Sequence, residues 1–194
     1  RVRARDNKEY QCDTTTTIIA DQKQPLAIAG VIGGLESGCN ETTKNVFLEV
    51  ALFDPSKVAK VGRRLGINSD ARYRFERGLD KEMVEEGLEY ATFLINQICG
   101  GTVSKNISAG KIELDKIKIP YDFSFFQKII GIDLSKEEQT NILNKLSFKV
   151  EGINDNSCIV SVPSWRNDIR HPIDLIEEII RVFGYDNIKV TSPN

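Results

Sequence analysis

The 194-residue chain lacks any Cys-x-x-Cys pair: its four cysteines, Cys12, Cys39, Cys99 and Cys158, are spread along its length. That spacing signals neither a zinc site nor a disulfide scaffold, and it suits a reducing cytoplasm. Histidine occurs once, as His171. No stretch approaches the roughly 20 apolar residues needed to span a membrane, and the charged opening Arg1–Asp6 does not read as a signal peptide. A basic excess is missing too. The net charge of −2 argues against a generally basic nucleic-acid binder and leaves only local clusters, Lys57–Arg64 and Arg72–Arg77, to meet phosphate. There is no internal repeat. Apolar residues at 40% and charged ones at 28% exclude a disordered composition and describe an ordinary globular protein.

The length allows one or two domains, and the change in texture near Gly100–Gly101 suggests two. The chain opens without a recognisable first element and stops at Pro193–Asn194 soon after a helix, so a piece of something larger is expected. Thr14–Ala20 and Leu26–Ile32 read as paired strands around the turn Asp21–Pro25. Gly30, Gly33 and Gly34 then form GVIGG, where the missing Cβ lets a backbone or a ligand come close. This is no P-loop, because no Lys-Ser/Thr follows, and a tight turn after a strand is the simplest account.

Val46–Phe53 reads as a buried strand with Glu49 between Leu48 and Val50. A carboxylate there must point out, be paired or be used, because burying it unpaired is costly. Asp54 or Ser56 caps a helix over Lys57–Leu65, which Gly66 ends. Asn68–Gly78 reads as an extended segment with Arg72 and Arg74 on one side, suited either to phosphate or to ion pairs with Asp70 or Glu76. Asp80–Cys99 is the longest helix, with Met83, Leu88, Ala91, Leu94, Ile95 and Ile98 expected inward.

The second unit is expected to begin with a strand at Lys111–Ile119 and a helix at Phe123–Ile130. Asp133 or Ser135 caps another helix, with Ile142, Leu143, Leu146 and Phe148 inward. Strands Lys149–Gly152 and Cys158–Pro163 flank the turn Asn154–Ser157. The unit closes on an acidic helix that Pro172 starts and Gly184 stops, with Ile173, Ile176, Ile179, Ile180 and Phe183 expected as its buried stripe. Asp174, Glu177 and Glu178 share another face, and Asp168 could fold back to join them. Such a set suits Mg²⁺, which takes oxygen ligands. Two other accounts stay open: acids are favoured in a first turn by the helix dipole, and Arg166, Arg170 or Arg181 could supply the counter-charge. The expected class is α+β, a partial α/β domain followed by a small winged-helix-like one.

Four strings stand in order along the chain: AIAGVIGGLESG, FLEVALFDP, RRLGINSDARYRFERGLD and SVPSWRNDIRHPIDLIEEIIRVFGYDNI. Together they strongly resemble the beta subunit of bacterial phenylalanyl-tRNA synthetase. The resemblance implies that residues 1–109 are the later part of the editing domain, 110–186 a winged-helix-like domain, and 187–194 the entry to the catalytic-like core. It implies an α₂β₂ enzyme that joins phenylalanine to tRNA(Phe) with ATP and Mg²⁺ at a centre in the alpha subunit. It also implies hydrolysis of tyrosine wrongly attached to that tRNA, because a pocket for phenylalanine excludes an added hydroxyl only partly.

By the same resemblance, Glu49 reads the tyrosine hydroxyl and Gly33 lines the editing pocket, with Ser69 and Ala71 at the pocket positions of NSDA. Many relatives carry Thr at Ser69, and the hydroxyl is kept. No side-chain nucleophile is implied, since a positioned water attacks the ester. Asp168, Asp174, Glu177 and Glu178 match the family's Mg²⁺ carboxylates near the alpha subunit. The family also draws on a histidine upstream of the strand pair, which this chain lacks, so the isolated chain is expected to be deficient in editing. The alternative is a non-catalytic module that binds a subunit or nucleic acid, with Glu49 a structural ion-pair partner.

Overall fold

The computed structural model describes residues 1–114 and 116–188. It is a mixed α+β structure with three small antiparallel sheets and six α-helices among the described residues. The chain divides into two compact units, Arg1–Lys111 and Ile112–Asn194. The expected core entry at Asn187–Asn194 lies, from residue 189 on, outside the described residues.

In the first unit β1 (Val2–Arg3) pairs with β2 (Glu9–Tyr10), and β3 (Ile18–Ala20), β4 (Pro25–Ile28) and β5 (Ile32–Gly33) form a sheet in that order. An isolated bridge between Ala4 and Gly34 ties the two sheets. β3 is shorter than the expected Thr14–Ala20. The Asp13 carboxylate accepts from the Thr15 amide at 2.9 Å and the Thr15 and Thr16 hydroxyls at 2.7 and 3.0 Å, holding those residues in a local turn instead of a ladder.

Three helices follow: α1 (Pro55–Arg64), α2 (Asp70–Phe75) and α3 (Met83–Cys99). Asp54, one of the two expected caps, accepts from the Lys57 amide at 3.0 Å, and Pro55 sits in the first turn, where its missing N–H costs nothing. Val58 and Val61 of α1 close the core on Val2, Ile28, Val31 and Ile67. The extended segment expected at Asn68–Gly78 is instead α2, because the Ser69 hydroxyl accepts from the Arg72 amide at 3.0 Å and starts a helix.

Two further expectations fail for want of a partner. Val46–Phe53 joins no ladder among the described residues, and Val46 and Phe47 are 57% and 93% exposed. Its β-branched, apolar pattern favours a strand only where a neighbouring strand takes up the backbone groups. Likewise α3 fully buries none of its residues: of those expected inward, Leu88 and Ala91 are half-buried, while Met83, Leu94, Ile95 and Ile98 are exposed.

The second unit runs β6 (Lys118–Asp122), α4 (Ser124–Ile130), α5 (Lys136–Lys145), β7 (Lys149–Glu151), β8 (Ser157–Ser161) and α6 (Pro172–Phe183), with sheet order β6-β8-β7. The first strand lies later than the expected Lys111–Ile119. It runs through Pro120, which an outer strand tolerates, and Ile119 and Tyr121 alternate into the core. Ser135, rather than Asp133, caps α5 through a reciprocal box with Glu138.

Tyr121, Phe126, Leu143, Phe148, Val160, Leu175 and Ile179 fill the core. Gln139, 2% exposed, accepts from the Tyr121 hydroxyl at 2.7 Å and donates to the Leu134 carbonyl at 2.7 Å, so this buried amide is satisfied. All four cysteines are free, and burial pushes the Cys158 thiol up to about 11. No helix among the described residues is long and apolar enough to cross a membrane.

Arg72 lies across Gly62 of α1, and a Cβ at Gly62 would overlap its side chain. Gly62→Ala is therefore expected to cost about 1–3 kcal/mol, because Arg72 is held by three partners and yields poorly. Gly87→Ala in α3, whose Cβ would meet only Val50 at 3.9 Å, is expected to stabilise by about 0.5–1 kcal/mol through helix propensity. Urea unfolding of both variants measures the contrast.

Candidate functional site

The three glycines of GVIGG have different reasons to be glycine. Gly30 has φ +67°, and a Cβ there would stand 3.0–3.2 Å from Val58, Phe53 and Phe75. A Cβ at Gly34 would overlap the Leu26 carbonyl oxygen, which the Gly34 amide itself reaches at 2.9 Å. Gly33 lies in β5 and is freer. Its Cβ would meet only the Arg5 side chain, at 3.3 Å from Cδ. Packing and backbone geometry thus require glycine at Gly30 and Gly34, whereas at Gly33 the fold demands it least.

Ser69 ties the start of α2 to this loop, donating to the Val31 carbonyl while it caps α2. The structure therefore brings Ser69 beside the turn that carries Gly33. Ala71 is exposed on the first turn of α2. Neighbouring Arg72 turns inward: its guanidinium donates to Glu76 at 2.9 Å and to the Ile67 carbonyl at 2.6 Å.

Glu49 is exposed on the unladdered run, which corrects the buried strand expected around it. Nearby protein bulk still removes enough water to raise its pKa, and that desolvation is the only cause of the shift. The upward direction follows from partial desolvation without a cation to oppose it.

The carboxylates around α6 are arranged differently from a metal site. Arg166 donates to Asp168 at 2.9 and 2.6 Å and to Glu178 at 2.9 Å, and Arg181 adds a bond to Glu178 at 2.6 Å. The hydrogen bonds from Arg166 hold both the Asp168 and Glu178 carboxyls below their ordinary range. Asp174 accepts from the Arg170 and His171 amides, each at 2.8 Å, and so serves as a cap. Glu177 faces solvent.

Two corrections to the expected faces of α6 follow. Glu178 is only 6% exposed and lies at the border of the buried arc, while Ile173 is 45% exposed and Leu175 takes the core position. No group of three or more His, Cys, Asp or Glu among the described residues is placed to hold a metal ion. As arranged, the four carboxylates do not fit Mg²⁺, because a guanidinium stands where two of them would bind it. Arginine counter-charge was one of the accounts open in the sequence; that a single residue, Arg166, would span both carboxylates was not visible there.

Comparison with known proteins places these elements. A family model described as the B3/4 domain matches residues 1–100, and one described as the tRNA synthetase B5 domain matches residues 119–185. The phenylalanine--tRNA ligase beta subunit of Nitrobacter winogradskyi is 42% identical over 190 residues, which is 98% of this chain and 23% of that protein. That of Brucella suis is 42% identical over 186 residues, 95% of this chain. The chain belongs to the phenylalanine--tRNA ligase beta-subunit family.

It spans about a quarter of the length of these beta subunits. An N-terminal fragment of the phenylalanyl-tRNA synthetase beta subunit from Pyrococcus horikoshii overlaps 38% of the chain at 26% identity and a TM-score of 0.35, too slight to bear on the fold.

The Arg166 network makes a testable claim on stability. Glu178 has a depressed folded pKa, so its contribution is complete above the ordinary value of 4.5 and is lost as pH falls through the folded value. Arg166→Met is expected to cost about 1.5–3 kcal/mol at pH 7, less than the loss of an isolated buried pair because Arg181 still holds Glu178. The variant should also lose part of the fall in stability expected below pH 4.5, the part that Arg166 contributes. Urea unfolding at a series of pH values measures both.

Proposed function

We propose that the chain is the portion of a phenylalanine--tRNA ligase beta subunit that carries its editing pocket, and that the parent protein hydrolyses tyrosine mischarged onto tRNA(Phe). The first unit is the later part of that editing domain, and the second is a winged-helix-like neighbour. Charging of tRNA(Phe) with ATP takes place in an α₂β₂ assembly, in the cytoplasm, at a centre in the alpha subunit.

The observation that carries this reading is Gly33, the one glycine of its loop that the fold itself demands least. A side chain there would press on Arg5 and stand where this reading puts the substrate. Glu49, with desolvation alone shifting its pKa, has a carboxylate free to accept a hydrogen bond from a tyrosine hydroxyl. Ser69 fixes the α2 start beside the Gly33 loop, and Ala71 keeps that side of the pocket small.

Hydrolysis adds a water to the ester carbonyl carbon, breaks the bond to the tRNA ribose oxygen and releases tyrosine and tRNA. The chain's residues recognise and position; no side chain acts as nucleophile. Mg²⁺ belongs to the charging reaction of the whole enzyme, and the arrangement around Arg166 gives it no step here.

A second reading, a non-catalytic module for a subunit or nucleic acid, is favoured by the exposed place of Glu49. The two part on one assay: hydrolysis of tyrosyl-tRNA(Phe) by the complete beta subunit in its assembly. Glu49→Ala is expected to lower the rate at least tenfold with tRNA binding kept. Gly33→Ala is expected to do the same with unchanged thermal stability, since only the Arg5 side chain must move. Because the Glu49 pKa is raised above 4.5, the rate should begin to fall on acidification at a higher pH than an ordinary glutamate would give. Full activity in both variants would leave the binding module.

A further inference from the structure

We propose that the outward face of α1 is a track for the phosphates of a single-stranded RNA end, leading to a cleft beside Lys57. The inference rests on the RNA partner of the proposed function and adds to it a basic surface whose cleft is lined by Ala29, at the Gly30 end of the glycine loop.

Lys57, Lys60, Arg63 and Arg64 are all exposed and fall within about 120° of the helix circumference at 3.6 residues per turn. Val58, Val61 and Gly62 occupy the buried arc, and α1 contains no acidic residue. The helix dipole accounts for Arg63 and Arg64 in the last turn, but it disfavours Lys57 in the first. Lys57–Lys60, Lys60–Arg63 and Lys60–Arg64 are also like charges at helical-neighbour spacing, which repel. Local helix energetics therefore oppose this pattern, and an anionic partner relieves it.

The anions nearby are few and already engaged. Asp13 pairs with Arg64, whose guanidinium also reaches the Thr15 and Thr16 hydroxyls, each at 2.7 Å. Asp54 accepts from the Lys57 amide at the helix start. Lys57, Lys60 and Arg63 make no ion pair among the described residues. The other basic cluster is different: Arg72 is held within the unit, and Arg77 lies over the Tyr73 ring at 3.7 Å.

At the foot of the ridge lies a cleft of about 210 Å³, lined by apolar Leu52, Phe53, Val58 and Val61 and by polar Thr17 and Lys57. Asp54 lines it too. A row of cations running about 10 Å along a helix into a small cleft with an aromatic wall suits RNA better than an acidic peptide. Phosphates meet the row, and a base meets the apolar wall, the pairing of charge and ring contact by which single strands are held.

The test uses a fluorescent single-stranded RNA of roughly 12 nucleotides and an acidic peptide of equal charge, each titrated against the 194-residue chain at several salt concentrations. The chain is expected to bind the RNA more tightly, with a slope of log affinity on log salt of about −2, the value for three phosphate contacts by a single strand. Lys57→Gln/Lys60→Gln/Arg63→Gln should weaken RNA binding at least tenfold and flatten that slope, while Arg74→Gln should change it less than twofold.

Circular dichroism melting checks that the triple variant folds; should it not, Lys60→Glu alone carries the same test with a smaller expected loss. RNA binding that survives in the ridge variant, is absent from the parent chain, or is matched by the peptide overturns the proposal. Neither ligand carries an amino acid, so loss of the hydrolysis reading through Glu49 would leave these outcomes as they stand.

Discussion

A guanidinium turned inward organises each unit. In the second, Arg166 holds Asp168 with two hydrogen bonds and Glu178 with a third, and it lies 5.8 Å from the Phe148 ring centroid. The loop before α6 is thus fastened to the helix at a carboxylate that is itself nearly buried. Such a carboxylate is tolerated only because its charge is answered at once and its oxygen is bonded. In the first unit Arg72 spans α1 and α2 in a similar way, packing on Gly62 and bonding Ile67 and Glu76. Arginine suits both places, since a planar fork reaches several acceptors in fixed directions.

Features set by local chemistry were legible in the sequence. Asp54, Ser135 and Pro172 start their helices, Gly184 ends one, and β7 and β8 flank the Asn154–Ser157 turn much as pattern suggests. What failed depended on distant chain. Val46–Phe53 has the composition of a strand and no ladder among the described residues, and the apolar side of α3 is only partly covered, at Leu88 and Ala91. Periodicity states that a face is apolar; it does not state what lies against it. Asn68–Gly78 departs from the extended pattern for the opposite reason: its alternating Arg and aromatic residues suggest a strand, and the local cap at Ser69 starts a helix instead.

The candidate site was legible mainly through resemblance. Spacing alone leaves the glycine loop as a turn and the acidic helix as a dipole-stabilised start. Coordinates separate members that sequence treats alike. Gly30 and Gly34 answer to packing, and Gly33 does not; Asp168 and Glu178 answer to Arg166, Asp174 to backbone amides, and Glu177 to water. Four carboxylates close in sequence thus perform three different physical tasks. Spacing along a helix cannot reveal that, because each task depends on a donor elsewhere.

The outer strand β6 carries a consequence for how the molecule behaves among its own copies. Among the described residues it pairs only with β8, and along it exposed Lys118, Pro120 and Asp122 alternate with buried Ile119 and Tyr121. A bare strand margin offers unpaired amides and carbonyls on which another chain can zip. Here one amide is deleted by proline, and charges of both signs stand on either side, so a neighbouring strand would meet a missing donor and two hydrated groups. The second unit can thus leave its sheet open without inviting fibrous assembly.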